Sequence, residues 1–315
     1  MKQSIAIPTC SSSFQQFFSH RLFTHFIDSD MGPFTVAPSR PLPELLSMSK
    51  FERSHIMAEL SYIAYESIPS AKAKARELGF KSVQFYEHGN AQCYRFVSDH
   101  DIVIAARGTE TTETEDILSD LKIHRVPPCK DLNVPGLVHR GFRGEAFELW
   151  HAARDNILLE TASSHKLWFT GHSLGAAIAT LLSTYSQHDK ATLDPTGLVT
   201  FGSPRVGNRE FACNADKVVP DNLRWVNNDD VVTKVPFNMF GLYTHCGSQM
   251  YLKEDGTCLS DVAWSTVFAD RLWGRLSNMV SRQLQFSDGK DHGMGSYLAK
   301  IKKLADEERS SKSKM

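Results

Sequence analysis

The stretch Lys166-Leu-Trp-Phe-Thr-Gly-His-Ser-Leu-Gly-Ala-Ala-Ile-Ala-Thr-Leu-Leu182 decides the fold, because it predicts a strand, a tight turn and a helix in succession. Its apolar Leu-Trp-Phe run favours β-structure, and its alanine-rich half contains strong helix formers. Between them, Gly171-His-Ser-Leu-Gly175 matches G-x-S-x-G, in which strained backbone leaves no room for Cβ atoms beside the serine. This pattern predicts a nucleophile elbow with Ser173 as the nucleophile. The alternative is a glycine-bracketed turn carrying an idle serine.

The rest of the chain predicts an α/β fold. Its 315 residues fit one large domain over residues 49–308, after an irregular extension at 1–48 and before a polar, frayed tail at 309–315. Apolar runs predict strands at Gln92–Val97, Ile102–Ala106, Leu167–Thr170, Leu198–Phe201 and Leu223–Val226. Helical patterns run from Phe51 toward Tyr65 and over Ala71–Leu78, Gly144–Leu158, Val262–Leu284 and Met294–Glu308. Strands buried on both faces predict a mostly parallel central sheet flanked by helices.

Charge and composition exclude several classes of function. A net charge of −1 gives no electrostatic case for binding nucleic acid. No apolar run is long enough to span a bilayer. The six cysteines lack the spacing of a metal site, so neither a metal nor a cofactor is expected. Cys246 and Cys258 flank a predicted hairpin at Asp255-Gly256 and either pair in an exported protein or stay free thiols. The first ten residues make a poor signal peptide, which favours a cytoplasmic location over secretion.

A serine nucleophile needs an imidazole as general base and a carboxylate to orient that imidazole. In α/β folds with a nucleophile elbow the chain order is serine, acid, histidine, so both partners are sought after Ser173. Asp229 and Asp230 follow a predicted strand at its carboxyl end, where catalytic groups gather in open α/β sheets. His245 and His292 are the candidate bases.

Eight motifs resemble those of the class 3 lipases, and the resemblance covers roughly Phe51 to Lys303. They are Ile104-Ala-Ala-Arg-Gly-Thr109, Leu118-Ser-Asp-Leu121, Val138-His-Arg-Gly-Phe142, Gly171-His-Ser-Leu-Gly-Ala176, Thr200-Phe-Gly-Ser-Pro-Arg-Val-Gly-Asn208, Asn228-Asp-Asp-Val-Val-Thr-Lys-Val-Pro236, Tyr243-Thr-His-Cys-Gly247 and Asp291-His-Gly-Met-Gly-Ser-Tyr297. The resemblance implies an α/β-hydrolase fold and a lipase or esterase that forms a covalent acyl-enzyme.

The resemblance also implies the role of each triad residue. Ser173 resembles the nucleophile and His292 the general base. Asp230 resembles the triad acid because the family places its acid six residues before a proline, here Pro236. His245 matches a histidine of the family that is usually structural.

The same resemblance implies that Thr109 and the backbone N–H of Leu174 stabilise the oxyanion. The segment after Thr109, where family members that act on lipid droplets carry an apolar lid, is here the acidic stretch 110–116. This polar flap implies either an open pocket for soluble or short-chain esters, as in feruloyl esterases of this fold, or a solvated loop without influence on selectivity. Val262–Leu284 has an apolar face that either binds acyl chains or packs in the core.

The expected activity is therefore hydrolysis of lipid or short-chain carboxylic esters, with contact at a lipid interface. A feruloyl-esterase-like or phospholipase activity at the same site is the alternative among enzymes. A lipase-like scaffold without turnover is the alternative from a different class, since a fold alone does not prove catalysis.

Overall fold

The computed structural model of the protein describes residues 34–35, 38–108, 124–129, 131–158, 164–189, 194–236, 241–260 and 291–314. Four features singled out in the sequence lie outside the described residues, namely Thr109, the polar flap 110–116, the motif Leu118–Leu121 and the amphipathic stretch Val262–Leu284. What the sequence predicts for them stays a prediction.

Within the described residues, nine strands form one central sheet. They are β1 (Phe34–Thr35), β2 (Ser82–His88), β3 (Ala91–Val97), β4 (Asp101–Ala106), β7 (Lys166–His172), β8 (Pro195–Phe201), β9 (Asp221–Asn227), β10 (Ser248–Leu252) and β11 (Cys258–Ser260), and β5 (Arg125–Val126) pairs separately with β6 (Val138–His139). The sheet order is β1-β2-β3-β4-β7-β8-β9-β10-β11, with β4, β7, β8, β9 and β10 parallel and the outer strands antiparallel. This confirms the predicted mostly parallel α/β sheet.

Helices cover both faces of the sheet. They are α1 (Lys50–Ile63), α2 (Ile68–Leu78), α3 (Arg140–Leu158), α4 (Leu174–His188), α5 (Arg209–Val218) and α6 (Met294–Lys312). Alternate residues of β4 point to opposite layers, because successive side chains of a strand face opposite ways. Ile102 and Ile104 pack toward α3, α4 and α5, whereas Val103 and Ala105 pack toward α1, α2 and α6. The parallel strands are therefore buried on both sides.

The last residues of the predicted N-terminal extension, 38–48, contact the folded domain. Leu45 is fully buried, and its backbone N–H donates to Asp101 Oδ2 at 2.9 Å. Arg53 of α1 donates to the backbone oxygens of Leu45 and Met48. These bonds join residues 38–48 to the folded domain. The sequence of that segment does not predict them, because their partners lie elsewhere in the chain.

At the other end of the chain, α6 continues to Lys312, four residues beyond the predicted end of the helix at Glu308. Two contacts with the first turn of α1 hold the additional turn. Ser49 Oγ donates to Glu308, and Arg309 forms an ion pair with Glu52 at 3.6 Å. The predicted frayed tail at 309–315 is thus helical over most of its length.

Candidate active site

The nucleophile elbow forms where β7 meets α4. Ser173 has φ 57° and ψ −126°, a backbone conformation that a non-glycine residue rarely adopts. A Cβ at Gly171 would lie 2.4 Å from the carbonyl oxygen of Gly175, and a Cβ at Gly175 would lie 2.3 Å from that of Ala106. Both glycines are therefore required by close backbone approach, as the sequence pattern predicts.

Ser173, His292 and Asp230 meet in one hydrogen-bonded row. His292 Nε2 lies 2.9 Å from Ser173 Oγ, and His292 Nδ1 lies 3.0 Å from both carboxylate oxygens of Asp230. All three side chains are buried. Ser173 follows β7, Asp230 follows β9 by three residues, and His292 precedes α6 by two. The sheet thus brings together three residues that are far apart in the chain, in the geometry of a nucleophile, a base and an orienting acid.

The neighbouring candidates for acid and base lie elsewhere. Asp229 pairs with Lys234 at 2.6 Å. His245 Nε2 lies 2.8 Å from the backbone oxygen of Thr233 and makes no contact in the triad row. Burial, together with the nearby Arg224 and Arg205 guanidinium groups, holds the pKa of His245 well below its usual range. A neutral histidine in this place is structural, in agreement with the resemblance.

Asp230 is held by more than His292. Tyr297 O–H donates to its Oδ2 at 2.6 Å, and the backbone N–H of Val232 donates to its Oδ1 at 2.9 Å. Burial alone would raise the pKa of Asp230, but the charge of His292 and the hydrogen bonds from His292 and Tyr297 lower it below the ordinary value. The carboxylate therefore stays ionised at neutral pH. Sequence reasoning gave Tyr297 no role, although it closes the motif that begins at Asp291.

The oxyanion residues are only partly described. Leu174 is the first residue of α4, where backbone N–H groups have no intrahelical partner and favour negative charge. Gly108, which precedes Thr109, lies beside the elbow, since a Cβ there would come within 2.8 Å of the His172 carbonyl oxygen and 3.4 Å of Gly175 N. Gly108, the residue before Thr109, thus lies close to Ser173.

His172 packs directly behind the catalytic row. Its ring centroid lies 4.7 Å from that of His292, and its Nε2 lies 2.6 Å from the His292 backbone oxygen. Its Nδ1 lies 3.0 Å from the Tyr65 hydroxyl. Burial and the neighbouring His292 lower the pKa of His172 to about 3. The ring is therefore neutral in the folded protein across the physiological range.

This neutral histidine makes folding stability depend on pH. Below about 6.5 the unfolded chain protonates His172 while the folded chain does not, so the free energy of unfolding falls as the pH drops from 6.5 toward 3. Between pH 7 and pH 5 the loss from this residue is about 2 kcal/mol. Urea denaturation at pH 7 and pH 5 measures this loss. From pH 7 to pH 5, the free energy of unfolding should fall by about 2 kcal/mol less in His172→Gln than in the wild type. An equal fall in the free energy of unfolding of both proteins would contradict this role of His172.

Other predictions about sites can be checked within the described residues. Cys246 lies two residues before β10, Cys258 is the first residue of β11, and both carry free thiols. Among the described residues, no group of His, Cys, Asp and Glu side chains is arranged to hold a metal ion. None of the helices described is long and apolar enough to cross a membrane.

Comparison with known proteins places these features in a family. The family model described as Lipase (class 3) matches residues 103–240. Lipase ZK262.3 of Caenorhabditis elegans is 34% identical over 149 residues, which cover 45% of this chain and 40% of the relative. Phospholipase A(1) DAD1, chloroplastic, of Arabidopsis thaliana is 30% identical over 194 residues, covering 58% and 40%. The chain thus spans about 40% of the length of these two relatives.

Solved structures show the same fold. The triacylglyceride lipase of Rhizomucor miehei aligns with a TM-score of 0.60 at 21% sequence identity, over 79% of this chain and 98% of that chain. The family match over residues 103–240 and the curated relatives support the class 3 lipase family for this chain, and the solved structures share its fold.

Proposed function

We propose that the protein is a serine carboxylic ester hydrolase that acts on lipid or short-chain esters through a covalent acyl-enzyme. The observation that carries the proposal is the unbroken hydrogen-bonded row from Ser173 through His292 to Asp230, at 2.9 and 3.0 Å. In that row the base is already within reach of the hydroxyl proton that it removes. The activity of relatives named as lipases and phospholipases supports an ester of a fatty acid as the substrate.

In the first half-reaction, His292 Nε2 accepts the proton of Ser173 as its Oγ attacks the ester carbonyl carbon. Asp230 accepts the hydrogen bond of Nδ1–H and balances the charge of the imidazolium that forms. The negative charge on the former carbonyl oxygen is stabilised by Leu174 N–H and, from the resemblance, by Thr109. Collapse of this intermediate breaks the ester C–O bond, and His292 returns its proton to the leaving alcohol.

In the second half-reaction, water replaces the alcohol. His292 removes a proton from the water as its oxygen attacks the acyl carbon, and the proton then returns to Ser173 Oγ as the acid leaves. The buried position of Asp230 and His292 strengthens these charge interactions relative to water. The same groups therefore serve both steps.

The proposal is tested by covalent labelling of the full chain. A fluorophosphonate probe should form one adduct on Ser173, identified by mass spectrometry of the labelled peptide, because the probe reacts with an activated serine. Ser183→Ala is a matched control on α4, since Ser183 Oγ donates to the Thr180 backbone oxygen within the helix, and it should label like wild type. Folded wild-type protein that stays unlabelled would favour the scaffold without turnover.

The acyl group needs a separate experiment. Nitrophenyl esters of increasing chain length, together with a phospholipid and methyl ferulate, compare the lipase, phospholipase and feruloyl-esterase-like alternatives in one assay. The acidic flap 110–116 supports an accessible site that works on dissolved substrate. Activity that rises steeply above the solubility limit of the ester would contradict this open-site version and support activation at a lipid interface.

A further inference from the structure

A chain of hydrogen bonds behind the triad joins the loop that precedes Thr109 to the backbone of His292. It begins at His172, which is buried and contacts both the general base and Tyr65, two residues after the end of α1. The His292 backbone oxygen can only accept a hydrogen bond, so the 2.6 Å contact requires that Nε2 of His172 carries the hydrogen. In a neutral ring the other nitrogen, Nδ1, is then an acceptor. The tautomer of His172 is thus fixed by its backbone partner.

Tyr65 completes the chain on the other side. Because Nδ1 of His172 accepts, the Tyr65 hydroxyl at 3.0 Å is the donor. The phenol oxygen itself accepts a hydrogen bond from the backbone of Gly108, which partly offsets the rise in the Tyr65 pKa caused by burial. A Cβ at Gly108 would lie 2.4 Å from the Tyr65 hydroxyl, and the Arg107 guanidinium lies 6.0 Å from its ring centre. Tyr65 therefore contacts the two residues that precede Thr109.

We propose that Tyr65 and His172 are positioning residues for ester hydrolysis, acting through one directed chain of hydrogen bonds. Gly108 N–H donates to Tyr65, Tyr65 O–H donates to His172 Nδ1, and His172 Nε2–H donates to the backbone oxygen of His292. The chain fixes the loop leading to the oxyanion residue relative to the backbone of the general base. This inference rests on the proposed function, because it assigns those two segments their roles.

The chemistry of a neutral histidine suits this place. The ring of His172 lies 4.7 Å from that of His292, which becomes positively charged in each half-reaction. A second positive charge at that distance would oppose proton transfer to His292. An uncharged ring can orient the general base through its backbone without that penalty.

The tautomer is tested first, without any turnover. In the full chain labelled with ¹⁵N-histidine, long-range ¹H–¹⁵N correlation spectra should show His172 protonated at Nε2 and unchanged from pH 5 to pH 8. Tyr65→Phe should shift the Nδ1 resonance, whereas Tyr62→Phe, at an exposed position in the last turn of α1, should not. A His172 that is protonated at Nδ1, or that titrates in this range, would overturn the inference.

The kinetic consequence is tested with the same pair of variants. Tyr65→Phe keeps the ring and removes only the hydroxyl, so kcat should fall about 3- to 10-fold with KM within about twofold, the range expected for one lost hydrogen bond. Tyr62→Phe should keep the wild-type kcat. An unchanged kcat in Tyr65→Phe would overturn the positioning role.

Two substitutions of His172 separate positioning from general loss of packing. The amide nitrogen of glutamine reaches about as far as Nε2 and can still donate to the His292 backbone oxygen, whereas asparagine is too short. His172→Gln should therefore keep several-fold more kcat than His172→Asn, after both are compared at equal stability to urea. Equal loss in both would contradict the role. Absence of turnover in wild type would overturn the proposed function, whereas a wrong tautomer in an active wild type would overturn this inference alone.

Discussion

Ser173→Ala is expected to lower kcat for ester hydrolysis on the order of 10⁶-fold, the loss typical when the nucleophile of a serine triad is removed. The change removes one oxygen atom, which lies 2.9 Å from His292 Nε2, and adds no heavy atom to the strained elbow. The urea midpoint should therefore stay close to the wild-type value. Initial rates with a nitrophenyl ester, at equal concentrations of folded wild-type and variant protein, measure the loss.

The paired aspartates supply the control for this prediction. Asp230→Asn should cost roughly 10⁴-fold in kcat, because the amide no longer favours the correct tautomer and charge of His292. Asp229→Asn makes the same chemical change one residue away, where the partner is Lys234, and should leave kcat nearly unchanged. Normal turnover in Ser173→Ala, or equal losses in the two aspartate variants, would contradict the assigned triad.

Gly202→Ala is expected to be almost as damaging, although glycine has no side chain to take part in chemistry. Gly202 follows β8 with φ +59°, and a Cβ there would lie 2.8 Å from Asp230 Oδ2 and 3.1 Å from His292 Nδ1. The methyl group would thus separate the acid from the base. We expect kcat to fall roughly 10³- to 10⁴-fold, near the cost of losing the acid. The positive φ should also cost about 1–3 kcal/mol of unfolding free energy.

A glycine without neighbours provides the matched comparison. Gly295 lies in the first turn of α6, three residues after His292, and a Cβ there meets nothing within 4 Å. Gly295→Ala should keep wild-type kcat and gain up to about 1 kcal/mol of stability, since alanine favours helix. Steady-state kinetics and urea unfolding of both variants decide the matter. The prediction fails if Gly202→Ala is as active as Gly295→Ala.

The sequence predicts the elbow and the sheet because their determinants are local. Gly171 and Gly175 mark the turn, and continuous apolar runs mark the central strands. β2 escaped prediction because its exposed end carries polar residues, such as Glu87 and His88, in place of such a run. Propensity and spacing therefore describe the centre of the sheet better than its edges.

The site was predictable only in part, for a different reason. The order of serine, acid and histidine narrows the candidates, but the choice of Asp230 over Asp229 came from the family resemblance. The contacts of Tyr65 with His172 and of Tyr297 with Asp230 join residues 107 and 67 positions apart. No local pattern encodes such pairs, because they exist only after the sheet and α6 have packed.

The late position of the general base has a consequence during synthesis on the ribosome. His292 follows Ser173 by 119 residues, a delay of roughly 6–24 s at translation rates of ~5–20 residues per second. Throughout that interval the nascent chain contains Ser173 but lacks His292, the group that activates the serine in the proposed mechanism. Under the proposed mechanism, the chain can therefore hydrolyse an ester only after α6 has docked and brought His292 to Ser173.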